Sequence, residues 1–287
     1  MPVIHPGGLP GSTVAQVRAI AQAAADHDGV EPLGEQALLD LADPAAPARH
    51  ITVGEPPTGY ATVDLRGHPV AELVVSPAHR GHGLGRQLLD AVRDVAGASG
   101  APPLVWAHGN LPAARALAAS AGLSPRRELW QMTTALGERT AQALPDDVVV
   151  RGFVVGRDEE AWLQVNARAF ADHPEQGRMT LDDLRARQRE PWFRADDLLL
   201  AERAGRLVAF AWLKVERASV GELYVLGVDP AAQGGGLGRR LTALALDHLS
   251  RRGARTAILY TEASNAAAVR VYEAAGFRRS RVDVQFG

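Results

Sequence analysis

Val75-Ser76-Pro77-Ala78-His79-Arg80-Gly81-His82-Gly83-Leu84-Gly85-Arg86 returns 153 positions later as Val228-Asp229-Pro230-Ala231-Ala232-Gln233-Gly234-Gly235-Gly236-Leu237-Gly238-Arg239. A second pair of matches follows in the same order. Asn110-x-x-Ala113-x-Arg115 and Asn265-x-x-Ala268-x-Arg270 each lead to an Ala-Gly pair, Ala121-Gly122 and Ala275-Gly276. Two blocks repeated in order at similar separation mark a tandem duplication. The length agrees, because 287 residues is roughly two domains of about 100–150 residues. The polar, Pro-bearing stretch between the copies divides the chain into a first domain at 1–138, a linker at 139–147 and a second domain at 148–287.

Hydrophobic periodicity supplies the elements around these blocks. In the first copy helices are expected at Ser12–His27, Glu35–Leu41, Gly83–Ala96 and Pro112–Ala121, and strands at Ala71–Val75 and Leu104–Ala107. In the second, Glu159–Ala171 and Leu181–Glu190 read as helices, the latter with Thr180 as N-cap and Asp183 three residues on. Leu198–Arg203 and Leu207–Val215 flank Ala204-Gly205-Arg206 as a hairpin, followed by strand Glu222–Val228, helix Gly236–Arg251, strand Thr256–Thr261, helix Ala266–Ala275 and strand Arg278–Phe286. Each half is therefore expected to be an α+β domain with a mixed, mainly antiparallel sheet flanked by helices.

Composition removes several classes of function. The 31 basic residues nearly balance 33 acidic ones, so the chain lacks the broad cationic field that non-specific nucleic-acid binding draws on. Zero cysteines exclude disulfides, thiolate metal sites and a cysteine nucleophile, and agree with a reducing compartment. The N-terminus shows no basic and apolar leader pattern, and no apolar run approaches the ~18 residues of a membrane span. A cytoplasmic, monomeric protein without nucleic-acid or membrane partners is expected. His79, His82 and His108 show no ligand spacing, and no metal site is expected. Of the 31 basic residues only Lys214 is a lysine, an arginine bias typical of a GC-rich genome that leaves one position where an ammonium stands instead of a guanidinium.

The stretch Gln233–Gly238 joins a strand to an amphipathic helix. Glycines let backbone approach a ligand closely, and the helix start offers free N–H groups and a positive dipole end, so the loop is a candidate pyrophosphate cradle. No Gly-Lys-Ser/Thr follows it, which excludes a P-loop, and no acidic residue ends a second parallel strand at dinucleotide-fold spacing.

Val-x-Pro-x-x-Gln/Arg-x-x-Gly-x-Gly, then a strand, then Asn-x-x-Ala-x-x-x-Tyr-x-x-x-Gly-Phe resembles the acyl-CoA-binding core of the Gcn5-related N-acetyltransferase superfamily. The second copy holds every piece in Gln233, Gly236, Gly238, Asn265, Ala268, Tyr272, Gly276 and Phe277. Gly34-Glu35-Gln36, Trp106-Ala107-His108-Gly109, His173-Pro174-Glu175-Gln176-Gly177 and Glu222 through Pro230 resemble the tandem branch whose acceptor is the cysteinyl amine of cysteinyl-glucosaminyl-inositol. Gly234 and Gly235 stand where relatives often carry arginine, which removes local cations from the phosphate site.

The resemblance implies transfer of acetyl from acetyl-CoA to a small-molecule amine acceptor. It assigns acyl-CoA binding to Leu226, Gly227, Val228, Gln233, Gly234, Gly235, Gly236, Leu237, Gly238, Arg239, Asn265 and Arg270. In the first copy the corresponding set is Leu73, Val74, Val75, Arg80, Gly81, Gly83, Gly85 and Arg86. An α-amine with pKa about 7.7–8.0 must lose a proton before it attacks, and Glu222, opening the strand into the glycine loop, is the candidate base. The departing thiolate needs a proton, and Tyr272, two helical turns after Asn265, is the candidate acid. Backbone N–H groups of Leu226–Val228 are placed to polarise the thioester carbonyl. By the same resemblance Glu35, Glu175, Lys214, Glu222 and Tyr260 line the acceptor pocket. Glu35 belongs to the first copy, which puts the acceptor between the halves. Trp192 and Trp212 are open to two roles, stacking on sugar faces or core packing.

The first copy has Leu117 where the second has Tyr272 and Pro69 at the offset of Glu222. It is expected to be a non-catalytic domain that retains an acetyl-CoA cradle. Two other functions compete: acetylation of an aminoglycoside or a protein N-terminus, and a non-catalytic acyl-CoA sensor, against which the joint presence of Glu222 and Tyr272 speaks.

Overall fold

The computed structural model describes the chain except residues 138–143, 172–175 and 218. The chain forms two compact units, Met1–Leu129 with Arg281–Gly287, and Trp130–Ser280.

Unit 1 contains β1 (Val3–Pro6), α1 (Gly11–Asp28), α2 (Glu35–Asp40), β2 (Ala48–Val53), β3 (Gly59–Asp64), β4 (Val70–Val75), α3 (Leu84–Ala98), β5 (Leu104–Ala107) and α4 (Pro112–Ser120). The strand β6 (Pro125–Ala135) runs on into unit 2. The sheet of unit 1 runs β1-β2-β3-β4-β5 and ends on β12, the last strand of the chain. Its neighbours are antiparallel except β4 and β5. Alternation along β4 decides which face each side chain takes. Ala71, Leu73 and Val75 meet the apolar side of α3 around Leu88, Leu89 and Val92, whereas Val74 packs with Val17, Ile20 and Ala24 of α1. Leu88 is fully buried, and truncating such a leucine to alanine costs about 2–5 kcal/mol.

Unit 2 contains β7 (Val148–Gly152), α5 (Glu159–Ala169), α6 (Leu181–Gln188), β8 (Leu198–Arg203), β9 (Arg206–Arg217), β10 (Val220–Val228), α7 (Leu237–Arg251), β11 (Thr256–Glu262), α8 (Ala266–Ala274) and the start of β12 (Arg278–Phe286). Its sheet runs β6-β11-β10-β9-β8-β7. Only the β10–β11 pairing is parallel among those with a recorded register, which gives the mixed, mainly antiparallel α+β architecture expected of both halves. Central strand β9 is buried on both faces. Ala211 and Leu213 pack with Leu246 and Leu249 of α7, while Phe210 and Trp212 pack with Trp162 and Trp192 on the other side. The Ala204-Gly205 hairpin has positive φ at both residues, 49° and 72°, as a two-residue type I′ turn requires. Thr180 and Asp183 form the expected capping box at the start of α6.

The compact units divide differently from the sequence repeat. Val284, Gln285 and Phe286 of β12 lie opposite Ala107, Trp106 and Val105 of β5, so the chain's last strand completes the sheet of unit 1. Trp130 onward, in β6, belongs to unit 2 beside β11. Residues 139–143 of the expected linker lie outside the described residues. Among the described residues no helix is long and apolar enough to cross a membrane.

Candidate active site

In unit 2, β10 and β11 pair from Val220 opposite Thr256 to Leu223 opposite Leu259, and the recorded pairing ends there. On its other side β10 stays paired to β9 through Val228 opposite Ala209. Along Leu226, Gly227 and Val228 alternate residues turn their backbone groups away from β9, toward the side where the recorded pairing with β11 has already ended. A β-bulge at Tyr224, between Leu223 opposite Leu213 and Val225 opposite Trp212, sharpens the departure. Gly227 has no room for a side chain, since a Cβ there would lie 2.6 Å from the Phe210 ring.

The glycine loop follows. Gly234 and Gly236 have φ of +87° and +74°, in the left-handed region that glycine tolerates without penalty, and a Cβ at 234, 235 or 236 would meet only open space. No side chain caps α7, so the first-turn N–H groups beyond Gly236, including those of Leu237, Gly238 and Arg239, are available to an anion. Gln233 braces the loop by donating from Nε2 to the Val228 carbonyl at 3.1 Å. Asp229 accepts from Ala231 N–H at 3.0 Å and pairs with Arg168 at 2.7 Å. An open backbone cradle at an uncapped helix start, beside a strand edge with exposed amide groups, fits a pyrophosphate followed by a pantetheine arm.

Asn265 is the N-cap of α8, its Oδ1 accepting from Ala268 N–H at 3.1 Å. The cap takes the oxygen, so the amide NH₂ is the part of Asn265 that can reach a ligand, and Arg270 follows on the same helix. Tyr272 lies two turns on and packs edge-on against Phe277 at 6.0 Å. Burial pushes its phenol up to about 12, so it stays protonated through any neutral working range.

Glu222 and Lys214 face each other directly across the β9–β10 ladder, which places their side chains on one face of the sheet. Tyr260 on β11 accepts a hydrogen bond from Gln131 Nε2 at 2.7 Å, and Ser280 Oγ donates to Gln131 at 3.1 and 3.2 Å. Gln131 is a neighbour that sequence reasoning missed, because nothing local links β6 to β11. Glu175 lies outside the described residues. Glu35 is the first residue of α2, in unit 1. Trp212 is fully buried and Trp192 is 7% exposed, so both rings are packed in the core.

In unit 1, all eight residues named for the first copy line one cavity of about 340 Å³, from Leu73, Val74 and Val75 past Arg80, Gly81 and Gly83 to Gly85 and Arg86. Its charges are already engaged. Arg80 makes two bonds to Asp28, at 2.8 and 2.7 Å, and a third to the Val75 carbonyl at 3.1 Å. Arg86 donates to the Ser120 carbonyl at 3.0 Å. Leu117 lines the wall where unit 2 has Tyr272.

His108, quoted in the sequence with Trp106, Ala107 and Gly109, also lines this cavity, beside two carboxylates that nothing in the sequence linked to it. His108 Nδ1 lies 3.2 Å from Asp283, and its Nε2 lies 3.6 Å from Glu72. Burial opposes the charged imidazole, but the two carboxylates outweigh it and push the ring up to about 10. Glu72 also accepts from Gly34 N–H at 2.6 Å, and Asp283 from Gly109 N–H at 2.7 Å. Among the described residues no group of three or more His, Asp and Glu side chains is arranged to hold a metal ion.

The model of the acetyltransferase (GNAT) family matches residues 21–122 and 161–277. The chain is 51% identical to a mycothiol acetyltransferase of Cellulomonas flavigena, over 98% of this chain and 87% of that protein. It is 49% identical to a mycothiol acetyltransferase of Thermomonospora curvata, over 99% and 96%. Among solved structures, a GCN5-related N-acetyltransferase from Sphaerobacter thermophilus superposes with TM-score 0.72 at 24% identity, covering 99% of this chain and 94% of that one. A tandem GNAT protein from the clavulanic acid biosynthesis pathway superposes with TM-score 0.73 at 19% identity, covering 100% and 98%. At these identities the two structures speak for the fold alone.

Proposed function

The chain belongs to the acetyltransferase (GNAT) family, and from that membership we propose that it transfers acetyl from acetyl-CoA to the cysteinyl amine of cysteinyl-glucosaminyl-inositol, forming mycothiol. The observation that carries the reading is near-half identity to mycothiol acetyltransferases along almost the whole chain. In unit 2 it is joined to a strand splay, an open glycine cradle, a carboxylate on β10 and a phenol on α8.

Acetyl-CoA supplies an activated acyl group whose thioester carbon accepts the amine. The residues of unit 2 do the rest. Glu222 takes the proton that the acceptor's ammonium must lose. Amide groups of Leu226–Val228 hold the thioester oxygen as charge develops on it. Tyr272 gives its hydroxyl proton toward the departing sulfur, whose thiol pKa is about 8.5. The new C–N bond forms as the C–S bond breaks, and the second proton shed by the nitrogen makes good, through solvent, the one Tyr272 gave to sulfur, so no enzyme-bound acyl group is needed. Lys214, Glu222 and Tyr260 are the acceptor's contacts in this reading. Unit 1 holds acyl-CoA in its cavity without turning it over, because Leu117 has no proton to give. The reaction takes place in the cytoplasm, where acetyl-CoA is made, by a protein acting as a monomer.

The test is CoA release by the purified protein with cysteinyl-glucosaminyl-inositol, an N-terminal peptide and an aminoglycoside as acceptors. Preference for the first supports the proposal, and preference for either of the others replaces it.

A further inference from the structure

The one lysine of the chain is held by aromatic rings. Lys214 is 9% exposed, with Nζ 4.7 Å from the centroid of the Trp192 ring and 5.6 Å from that of Tyr224. The rings are themselves fixed by packing. Trp192 lies 5.3 Å from Tyr224 and 5.8 Å from Trp212, and Trp212 meets Tyr224 edge-on at 5.3 Å. Arg187 Nε donates to the Tyr224 hydroxyl at 2.8 Å. Tyr224 is also the bulged residue of β10, which places it in the same stretch as the Glu222–Lys214 pair.

A ring face attracts an ammonium through its quadrupole without taking a directional N–H bond from it. Such a bracket fixes where the charge sits on the sheet face. We propose that Trp192, together with Tyr224, is a positioning residue for acceptor binding: it holds the Lys214 ammonium opposite Glu222 so that it meets the hydroxyl-rich part of a polyol amine. The inference rests on the reading above that Lys214 contacts the acceptor. It also gives a reason for lysine at this position. A planar guanidinium is broader than the compact ammonium and would stack along the indole instead of standing over it.

The experiment measures KM for cysteinyl-glucosaminyl-inositol, KM for acetyl-CoA and kcat for the full-length protein and for Trp192→Leu, Trp192→Phe, Lys214→Met and Trp192→Leu/Lys214→Met. Trp192→Leu is expected to raise the acceptor KM by about 3- to 30-fold, the range a cation–ring contact supports, with the acetyl-CoA KM unchanged. Trp192→Phe keeps a weaker ring face and gives a smaller rise. Because Trp192 acts through Lys214, the double variant is no worse than Lys214→Met alone. Multiplying effects in the double variant, or an unchanged acceptor KM in Trp192→Leu, overturns the clamp. If Lys214→Met itself leaves the acceptor KM unchanged, the assignment of Lys214 to the acceptor fails first and the clamp with it. Should Trp192→Leu not fold, Trp192→Phe carries the same test, its smaller rise vanishing in the Lys214→Met background if the clamp is real and persisting if it is not.

Discussion

Glu222 stands directly opposite Lys214 in the β9–β10 ladder, one residue pair from the point where β10 and β11 stop pairing. A proton acceptor and a cation therefore share one face of the sheet at the root of the splay. Glu222→Gln keeps the shape and removes the proton acceptor. It is expected to lower kcat/KM by about 10²–10⁴-fold and to remove the part of the rise with pH that belongs to the base. Rate and pH profile surviving together would assign the proton to water or another carboxylate.

Tyr272 is held protonated by burial, at about 12. Tyr272→Phe should lower kcat by about 10²–10⁴-fold while leaving acetyl-CoA affinity unchanged, since only the transferable proton is lost. The wild-type rate should show no alkaline fall traceable to this phenol before about pH 11. Unchanged turnover where chemistry limits the rate would take Tyr272 out of the mechanism.

Lys214→Arg preserves charge and loses the compact ammonium. A raised acceptor KM with an unchanged acetyl-CoA KM is expected from initial-rate kinetics. Wild-type constants would mean that charge alone suffices at this position.

The imidazolium of His108, flanked by Glu72 and Asp283, gives unit 1 a pH signature. Its folded value of about 10 lies above the ~6.5 of an unfolded histidine. The group therefore contributes stability that is full below about pH 6.5 and is lost as pH rises through 10. Melting followed from pH 6.5 to 10 should show a falling Tm for the wild type. His108→Gln should melt lower at pH 6.5 and lose that part of the slope. Parallel curves for the two proteins would show that the buried ring is not charged.

Much of the active unit was legible because its signals are local. Gly234 and Gly236 announce positive φ, Asn265 announces a helix start, and Leu198–Arg203 with Ala204-Gly205 announces a hairpin, each within a few residues of sequence. Strands β2 and β3 were not read, in part because both are buried on both faces and so show no alternation, and they carry a polar pair inside: His50 Nδ1 lies 2.7 Å from the Tyr60 hydroxyl in the core. The return of Arg281–Gly287 to unit 1 was not legible either, since periodicity names a strand and not its neighbour. The same holds for His108 with Asp283, 175 positions apart, and for the rings around Lys214, which come from α6's downstream loop and from β10.

The central claim is that acetyl transfer has one working centre, in unit 2. Its most direct test is turnover with cysteinyl-glucosaminyl-inositol by two double variants whose folds are checked by circular dichroism. Gly236→Glu/Gly238→Glu puts side chains and negative charge into the open cradle at the start of α7, and Gly83→Glu/Gly85→Glu does the same in unit 1. The account predicts that the first pair abolishes acetyl transfer and the second leaves measurable activity. Robust transfer by a folded Gly236→Glu/Gly238→Glu protein would contradict it.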